Sequence, residues 1–464
     1  MVSQPHALVI PYPAQGHVIP LLEVAHALAD RGFAVTFVNT EFIHARVVAA
    51  GAGLEDGGRV RFVAVPDGMP PGDDRADLVK LTILMEAHMA PRVEELVLAS
   101  GEGGGNGGKI TCMVTDYNLG AWALDIARRT GIRSAAVWPA SAAVLATLLS
   151  YDKLIRDNII DAESGSALGE ETFQLSSDMP PMRSAHLAWN CVGENDQQAA
   201  FFQYIVAGAR AVEHCDFVIC NSFQDAEPAA FSLFPNVLPI GPLLTGERSG
   251  KAVGHFWKPE DEESMSWLDA QPAKSVVYVA FGSFTMFDRR QFEELALGLE
   301  LSGLSFLWVV RPDILQGGAV HEYPEGFLDR VCGAGGRGKL VAWSPQQRVL
   351  AHPAVACFVS HCGWNSTMEG VRNGVPFIAW PYFADQFVNQ VYISDVWKVG
   401  LKAVADKSGV ITKEHIAGLL EELKGDAGMR ERVEALKKAA HESIQSGGSS
   451  HGNFDTFAEG MKKA

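Results

Sequence analysis

The chain opens on an unbroken apolar run at residues 7–12 (ALVIPY). Such a run without alternation suits a strand buried on both faces. A loop follows at Pro13-Ala14-Gln15-Gly16, and then Val18, Leu21, Leu22, Ala25 and Leu28 recur at helical spacing. Gly32 ends that stripe as a C′ glycine, and residues 33–38 (FAVTFV) predict a second strand. This is a βαβ unit with parallel strands. The same grammar returns past the middle: strand 275–281 (SVVYVAF), a loop at Gly282-Ser283-Phe284-Thr285, a helical stripe through Phe292, Leu295, Ala296 and Leu299, a stop at Gly303, and strand 304–310 (LSFLWVV).

Further strands are expected at 110–115, leading into Asp116, and at 217–220 and 237–240. The second half adds 339–343, 355–360 and 377–380, with helices beginning near Gln346, Asn365 and Gln386. Two such beginnings predict an α/β protein of two domains with parallel sheets. Domain boundaries are expected at 1–242 and 264–445, with a linker at 243–263 and a tail at 446–464 that packs back on the first domain. Residues 101–108 (GEGGGNGG) read as a surface loop.

Composition narrows the field. The chain has 464 residues, 47% hydrophobic and 20% charged, which is ordinary globular usage. Its formal charge of −17, without a basic cluster, disfavours nucleic acid and anionic membranes as partners. An anionic small ligand would need a local device such as a helix N-terminus. Seven cysteines, an odd count with no CxxC pair, read as reduced thiols. The N-terminus lacks a basic segment, and the most apolar stretch, 135–149, holds Pro139 and Ser141 and is too short for a span. The expectation is a cytoplasmic protein without membrane insertion, monomeric, and with no metal site.

Two stretches match GxGxxG, at Gly103/Gly105/Gly108 and Gly333/Gly335/Gly338. The first lies in the glycine-rich loop, and the second follows a helix and precedes a strand. A dinucleotide fingerprint needs strand, glycines, then helix, so an NAD-dependent dehydrogenase or sugar-nucleotide epimerase loses its main support. No HExxH pattern occurs.

Chemistry concentrates at predicted carboxyl ends of strands. After strand 355–360 comes His361-Cys362-Gly363-Trp364-Asn365-Ser366 at a helix start. Small polar residues there expose backbone N–H groups where the helix dipole favours an anion. Ser366-x-x-Glu369 also fits a capping box, the bland alternative. Trp343 ends a strand at the same edge and offers a stacking face, and Asp385-Gln386 follow another strand there. In the first half, His17 at a helix start and Asp116 at a strand end share one predicted edge. Such a pair makes a general base with an orienting carboxylate; the alternative is two unrelated caps.

These residues carry a resemblance. Trp343-Ser344-Pro345-Gln346, the 361–366 stretch, Glu369, Gly374-Val375-Pro376, Trp380-Pro381 and Asp385-Gln386 resemble the signature box of plant family 1 UDP-glycosyltransferases, and 343 to 386 spans that box's 44 positions. The 11–17 stretch (PYPAQGH), Cys220-Asn221-Ser222-Phe223, Pro239-Ile240-Gly241-Pro242, the 278–283 stretch and the 306–311 stretch are similar to the same family. Ser344 and Ser360 stand where Ala and Thr are commoner.

The resemblance implies a GT-B fold, two Rossmann-like domains facing a cleft, with the acceptor on the first and the UDP-sugar on the second. It implies His17 as base and Asp116 as its partner. Trp343 would stack on uracil, Gln346 lie near the base, and Glu369 bind the ribose. His361, Asn365 and Ser366 would hold the diphosphate with Gly282 and Ser283 opposite, while Trp364, Asp385 and Gln386 contact the sugar. The implied reaction is inverting, metal-independent transfer of glucose from UDP-glucose, with no other cofactor, to a small phenolic acceptor such as a flavonoid or monolignol. The acceptor pocket is expected from 69–91, 140–152 and 189–205, which carry Met85, Met89, Tyr151, Trp189, Phe201, Phe202 and Tyr204; core packing is the alternative for them. A non-catalytic UDP-sugar binder is the remaining rival, disfavoured by the intact His17 and Asp116.

Overall fold

The computed structural model describes residues 4–49, 59–75, 77–101, 108–191, 195–243, 261–316, 322–333 and 335–463. The chain forms two compact units, residues 1–257 with 442–464, and residues 258–441.

In the first unit seven strands form one parallel sheet. They are β1 (His6–Ile10), β2 (Ala34–Thr40), β3 (Val60–Val65), β4 (Cys112–Asp116), β5 (Arg133–Trp138), β8 (Phe217–Cys220) and β9 (Val237–Pro239), in spatial order β3-β2-β1-β4-β5-β8-β9. Between β5 and β8 the chain makes a two-stranded antiparallel ribbon, β6 (Thr172–Phe173) with β7 (Met182–Arg183). Alternation explains the unbroken apolar runs. Ala7, Val9, Cys112, Val114, Ala135 and Val137 join one core with the helix Gln15–Asp30. Leu8, Ile10 and Met113 join another with helices Leu78–Ala99 and Gly120–Thr130. Successive side chains point to opposite faces, so a sheet covered on both sides admits no polar alternation.

The C-terminal helix Ser449–Lys462 belongs to this unit. Phe454, Phe457, Ala458 and Met461 complete the first of those cores, Phe217 and Phe457 meet edge to face at 5.7 Å, and Arg31 Nε donates to Asp455 Oδ1 at 2.8 Å.

In the second unit six parallel strands, β10 (Val276–Ala280), β11 (Ser305–Val309), β12 (Gly338–Val341), β13 (Val355–Ser360), β14 (Phe377–Ala379) and β15 (Gly400–Lys402), run in spatial order β12-β11-β10-β13-β14-β15. Val277, Val279, Trp308, Cys357 and Val359 pack with helices Arg289–Ser302 and Lys413–Gly425.

The linker expected at 243–263 lies largely outside the described residues, as does most of the 101–108 loop with Gly103 and Gly105. The helix Asp261–Asp269 begins inside that linker's last residues, and the second unit begins at 258. Gly333 and Gly335 lie between helix Phe327–Cys332 and β12, the order that a dinucleotide loop does not have. Among the described residues no helix is long and apolar enough to cross a membrane, and no group of three or more His, Cys, Asp or Glu could hold a metal ion. The described cysteines are unbridged; Cys112, Cys220, Cys357 and Cys362 are buried, whereas Cys332 is exposed.

Candidate active site

Each sheet has one place where the winding reverses. In the first unit, β1 connects toward β2 on one side while β4 continues toward β5 on the other. Ligands in open α/β sheets sit at the carboxyl ends of strands at such a switch point. There Ile10, the last residue of β1, is in register with Thr115, and Asp116 comes next as the last residue of β4. His17 lies in the first turn of the helix that follows β1.

The structure brings the pair together. His17 Nδ1–H donates to Asp116 Oδ2 at 2.8 Å. Asp116 is fully buried while the His17 side chain is 24% exposed. The other carboxylate oxygen, Oδ1, accepts the Asn118 backbone N–H at 2.9 Å, so both oxygens are held and the imidazole is oriented. Tyr12 lies beside the imidazole, ring centroids 5.4 Å apart; burial pushes its phenol up to about 12, so it stays a neutral neighbour. Tyr204 donates its hydroxyl to the Asn118 carbonyl, bracing the same turn from a distant helix.

The second unit repeats the plan at β10 and β13. Ala280, the end of β10, is in register with Ser360, and His361 follows. The 282–285 turn leaves β10 with Gly282 at φ +64. His361 presents its Nε2 edge to two glycines: a Cβ at Gly282 would lie 2.5 Å from that nitrogen and one at Gly363 2.4 Å. A side chain at either position would have to push the imidazole aside. Burial, reinforced by the Arg311 guanidinium, pushes His361 down to about 4, so it is a neutral imidazole near pH 7. Cys362 sits at φ +65 between strand and helix, a left-handed residue that makes the sharp turn into the helix Trp364–Asn373. The N-cap is Gly363, which has no side chain to cap that end. A helix start of this kind favours an anion.

The capping box is not formed. Ser366 and Glu369 both lie inside the helix. Glu369 instead faces the loop after β12: its Oε2 accepts Gln346 Nε2 at 2.6 Å and its Oε1 accepts Gln347 Nε2 at 3.1 Å. Gln346 Nε2 also donates to Ser366 Oγ at 2.8 Å. Burial raises the Glu369 carboxyl and the two amides partly offset it. Trp343 is only part-buried, just past the end of β12, and it lies outside the apolar core of this unit. Tyr278 ties this group to the sheet, its hydroxyl 2.8 Å from Ser344 Oγ and 3.2 Å from Gln346 Oε1.

After β14, Asp385 opens the helix Gln386–Val391 without a side-chain cap bond. Its Oδ2 accepts Asn389 Nδ2 at 2.9 Å, and the same amide donates to the Cys362 carbonyl at 2.9 Å. Asn389 thus links the sugar-facing and phosphate-facing candidates. Gln386 Oε1 accepts the backbone N–H groups of Tyr382 (2.7 Å) and Phe383 (3.0 Å), which leaves its amide NH₂ as the group to offer.

The structure bears on three of the expectations. Trp364 is 3% exposed and its indole lies 6.2 Å from that of Trp397, so it is turned into the interior and offers the site its backbone at the first helical position. Ser366 Oγ accepts Gln346 Nε2 and keeps its own O–H to donate. Met85 and Met89 sit in the first unit's apolar core, and Trp189 packs on Phe202 at 5.6 Å, both fully buried; core packing accounts for them. The residues that sequence reading missed, Tyr278, Arg311, Gln347 and Asn389, bond to neighbouring side chains and backbone carbonyls. Only the i, i+4 spacing of Asp385 and Asn389 could have been read beforehand.

Two parallel Rossmann-like sheets, each flanked by helices, make up the GT-B fold, the fold of one large class of glycosyltransferases. The comparisons agree. The family described as UDP-glucoronosyl and UDP-glucosyl transferase matches residues 217–443. The chain is 39% identical to UDP-glycosyltransferase 83A1 of Arabidopsis thaliana, over 99% of this chain and 97% of that protein. It is similar to the solved structure of Os79 from O. sativa in complex with UDP, with TM-score 0.80 and 30% identity, covering 98% of this chain and all (100%) of that one. It is also similar to Phytolacca americana UGT2 complexed with UDP-2fluoro-glucose and pterostilbene, with TM-score 0.81 and 27% identity over 99% of this chain and 100% of that one. The chain belongs to the plant family 1 UDP-glycosyltransferases: it is an enzyme that uses a UDP-sugar to glycosylate a small organic acceptor.

Proposed function

We propose that the enzyme transfers glucose from UDP-glucose, with inversion, to a hydroxyl of a small hydrophobic phenolic acceptor to give a β-O-glucoside. The observation that carries this reading is the 2.8 Å bond between His17 Nδ1 and Asp116 Oδ2 at a switch point. With Nδ1 committed to the carboxylate, Nε2 takes the proton of the acceptor hydroxyl. The acceptor oxygen bonds to the anomeric carbon as the carbon–oxygen bond to UDP breaks and its electron pair leaves with the diphosphate. Asp116 stabilises the imidazolium formed. One in-line displacement inverts an α-linked donor.

The second unit holds the donor in this reading. Trp343 stacks on uracil beside Gln346. Glu369, with its carboxylate already shared by two amides, accepts the ribose hydroxyls. His361, Asn365 and the 363–366 helix start take the diphosphate, with Gly282 and Ser283 opposite. Asp385 accepts from sugar hydroxyls and the Gln386 amide donates to the sugar. Charge that grows on the leaving diphosphate meets a preorganised helix start and a neutral histidine donor. Glucose as the sugar and a phenol as the acceptor are supported by the relative that holds UDP-2fluoro-glucose and pterostilbene.

The test is incubation with UDP-glucose and a panel of phenols, alcohols, thiols and amines, with detection of released UDP and of product mass. Anomeric proton couplings of the product should show a β linkage. An α linkage removes the single-displacement mechanism, and preference for another UDP-sugar removes the donor assignment. Binding of NAD in place of UDP would remove the whole reading.

A further inference from the structure

Arg311 stands two residues past β11, beside β10. Its side chain is 3% exposed, and the Asp313 carboxylate that pairs with it at 3.0 Å is 61% exposed. The rest of the guanidinium is spent on one turn: Nη1 donates to the Gly282 carbonyl and Nη2 to the Thr285 carbonyl at 2.8 Å. A planar fork can bridge two carbonyls in this way, whereas an ammonium cannot fix both. The clamped turn is the one whose Gly282 abuts His361. A buried cation with a largely solvated counter-ion is incompletely neutralised. Burial accordingly lowers its pKa, against the opposing pull of Asp313. Its field also reaches His361. In a chain of net charge −17, this puts fixed positive potential behind one turn of the donor edge.

We propose that Arg311 is the positioning residue of the diphosphate site: its guanidinium clamps the 282–285 turn against His361 and supplies positive charge behind that turn. The inference rests on the reading that this edge holds the diphosphate. Neither part of the role requires Arg311 to touch the ligand, so its effect passes through Gly282 and His361.

Calorimetric binding of UDP, with steady-state kinetics, tests it in the full-length protein. Arg311→Met should weaken UDP binding and raise KM for UDP-glucose by about 100-fold, with KM for the acceptor unchanged. Arg311→Lys keeps the charge without the fork and should recover about tenfold of that loss. Imidazole NMR gives a readout that a merely structural role would not move. His361 should titrate higher in Arg311→Met than in the wild type and stay low in Arg311→Lys. UDP binding within twofold of wild type in folded Arg311→Met, with His361 titration unmoved, overturns the proposal. Should Arg311→Met not fold, Asp313→Asn decides: loss of the exposed counter-ion should leave UDP binding equal or about two- to threefold tighter, and weaker binding overturns the charge role. Failure of the wild type to bind UDP would instead remove the donor-site reading itself.

Discussion

The two sheets place different chemistry at the same address. Asp116 follows Thr115, which is in register with the last residue of β1. His361 follows Ser360, which is in register with the last residue of β10. One switch point carries a buried carboxylate that clasps a histidine from the facing helix start; the other carries a buried histidine wedged between two glycines with a cation behind it. The first arrangement orients an imidazole and sets a buried carboxylate against it. The second keeps an imidazole neutral and sets its edge against two glycines. In the proposed function, equivalent strand ends serve proton removal in one unit and anion binding in the other. What differs is the neighbour: Asp116 has a partner that can become positive, and His361 has a permanent cation nearby.

The largest effect should come from breaking the first address. His17→Ala should lower turnover on alcohol and phenol acceptors by about 10³- to 10⁴-fold, with UDP affinity unchanged. Asp116→Asn should cost about 10⁴-fold: both carboxylate oxygens accept an N–H, an amide can satisfy only one, and an NH₂ turned toward Nδ1 imposes the wrong imidazole tautomer. Unchanged kcat in His17→Ala would remove the division of labour between the units.

The second address should fail in the opposite manner. Gly363→Ala puts a methyl 2.4 Å from His361 Nε2 and displaces the ring from the helix start. KM for UDP-glucose should rise about 100-fold, while a solvent-exposed phenol still reaches His17. Glu369→Gln keeps the shape but loses a charged acceptor, and KM for UDP-glucose should rise about tenfold. A variant whose acceptor KM moves more than its donor KM contradicts the assignment of donor binding to the second unit.

Much of this was legible in the sequence, and the reasons are local. β1, β8 and β13 show as apolar runs because sheets buried on both faces tolerate nothing else. β3 was missed because it is an edge strand with an exposed Arg61 inside it. β5 was hidden in one long apolar stretch, although Pro139 breaks it and Ser141 caps the helix Ala142–Leu149. β15 is three residues long and leaves no periodicity to read. The signature box located Trp343, Glu369 and His361, but not how Glu369 is held. Its partner amides lie 23 and 22 residues away in sequence, and Arg311 reaches Gly282 across 29. Contacts of that range arise from tertiary folding, which no local pattern encodes. Trp364 shows the same limit: its indole lies against that of Trp397, a neighbour that the motif does not encode.

The remaining effect is on stability, and the two units should differ in its sign. Glu227 is fully buried in the first unit and accepts Ala142 N–H and Ala143 N–H at 2.8 Å each and the Ser222 hydroxyl at 2.6 Å. Burial nevertheless pushes it up from 4.5 to about 7. A folded value above the unfolded one means the native state binds the extra proton. Its contribution is full below about pH 4.5 and is lost as pH rises to about 7. His361 is depressed from 6.5 to about 4, so the unfolded state binds the extra proton; its contribution is full above pH 6.5 and is lost as pH falls toward 4. Each is on the order of 3 kcal/mol at most. Hydrogen exchange resolved by segment reads the units separately. After correction for intrinsic rates, protection around helix Ala142–Leu149 should fall between pH 5 and pH 7, and that around the 361–366 turn should rise. Glu227→Gln should flatten the first slope and leave the second, and slopes of one sign in both units would show that burial does not govern these two groups as argued.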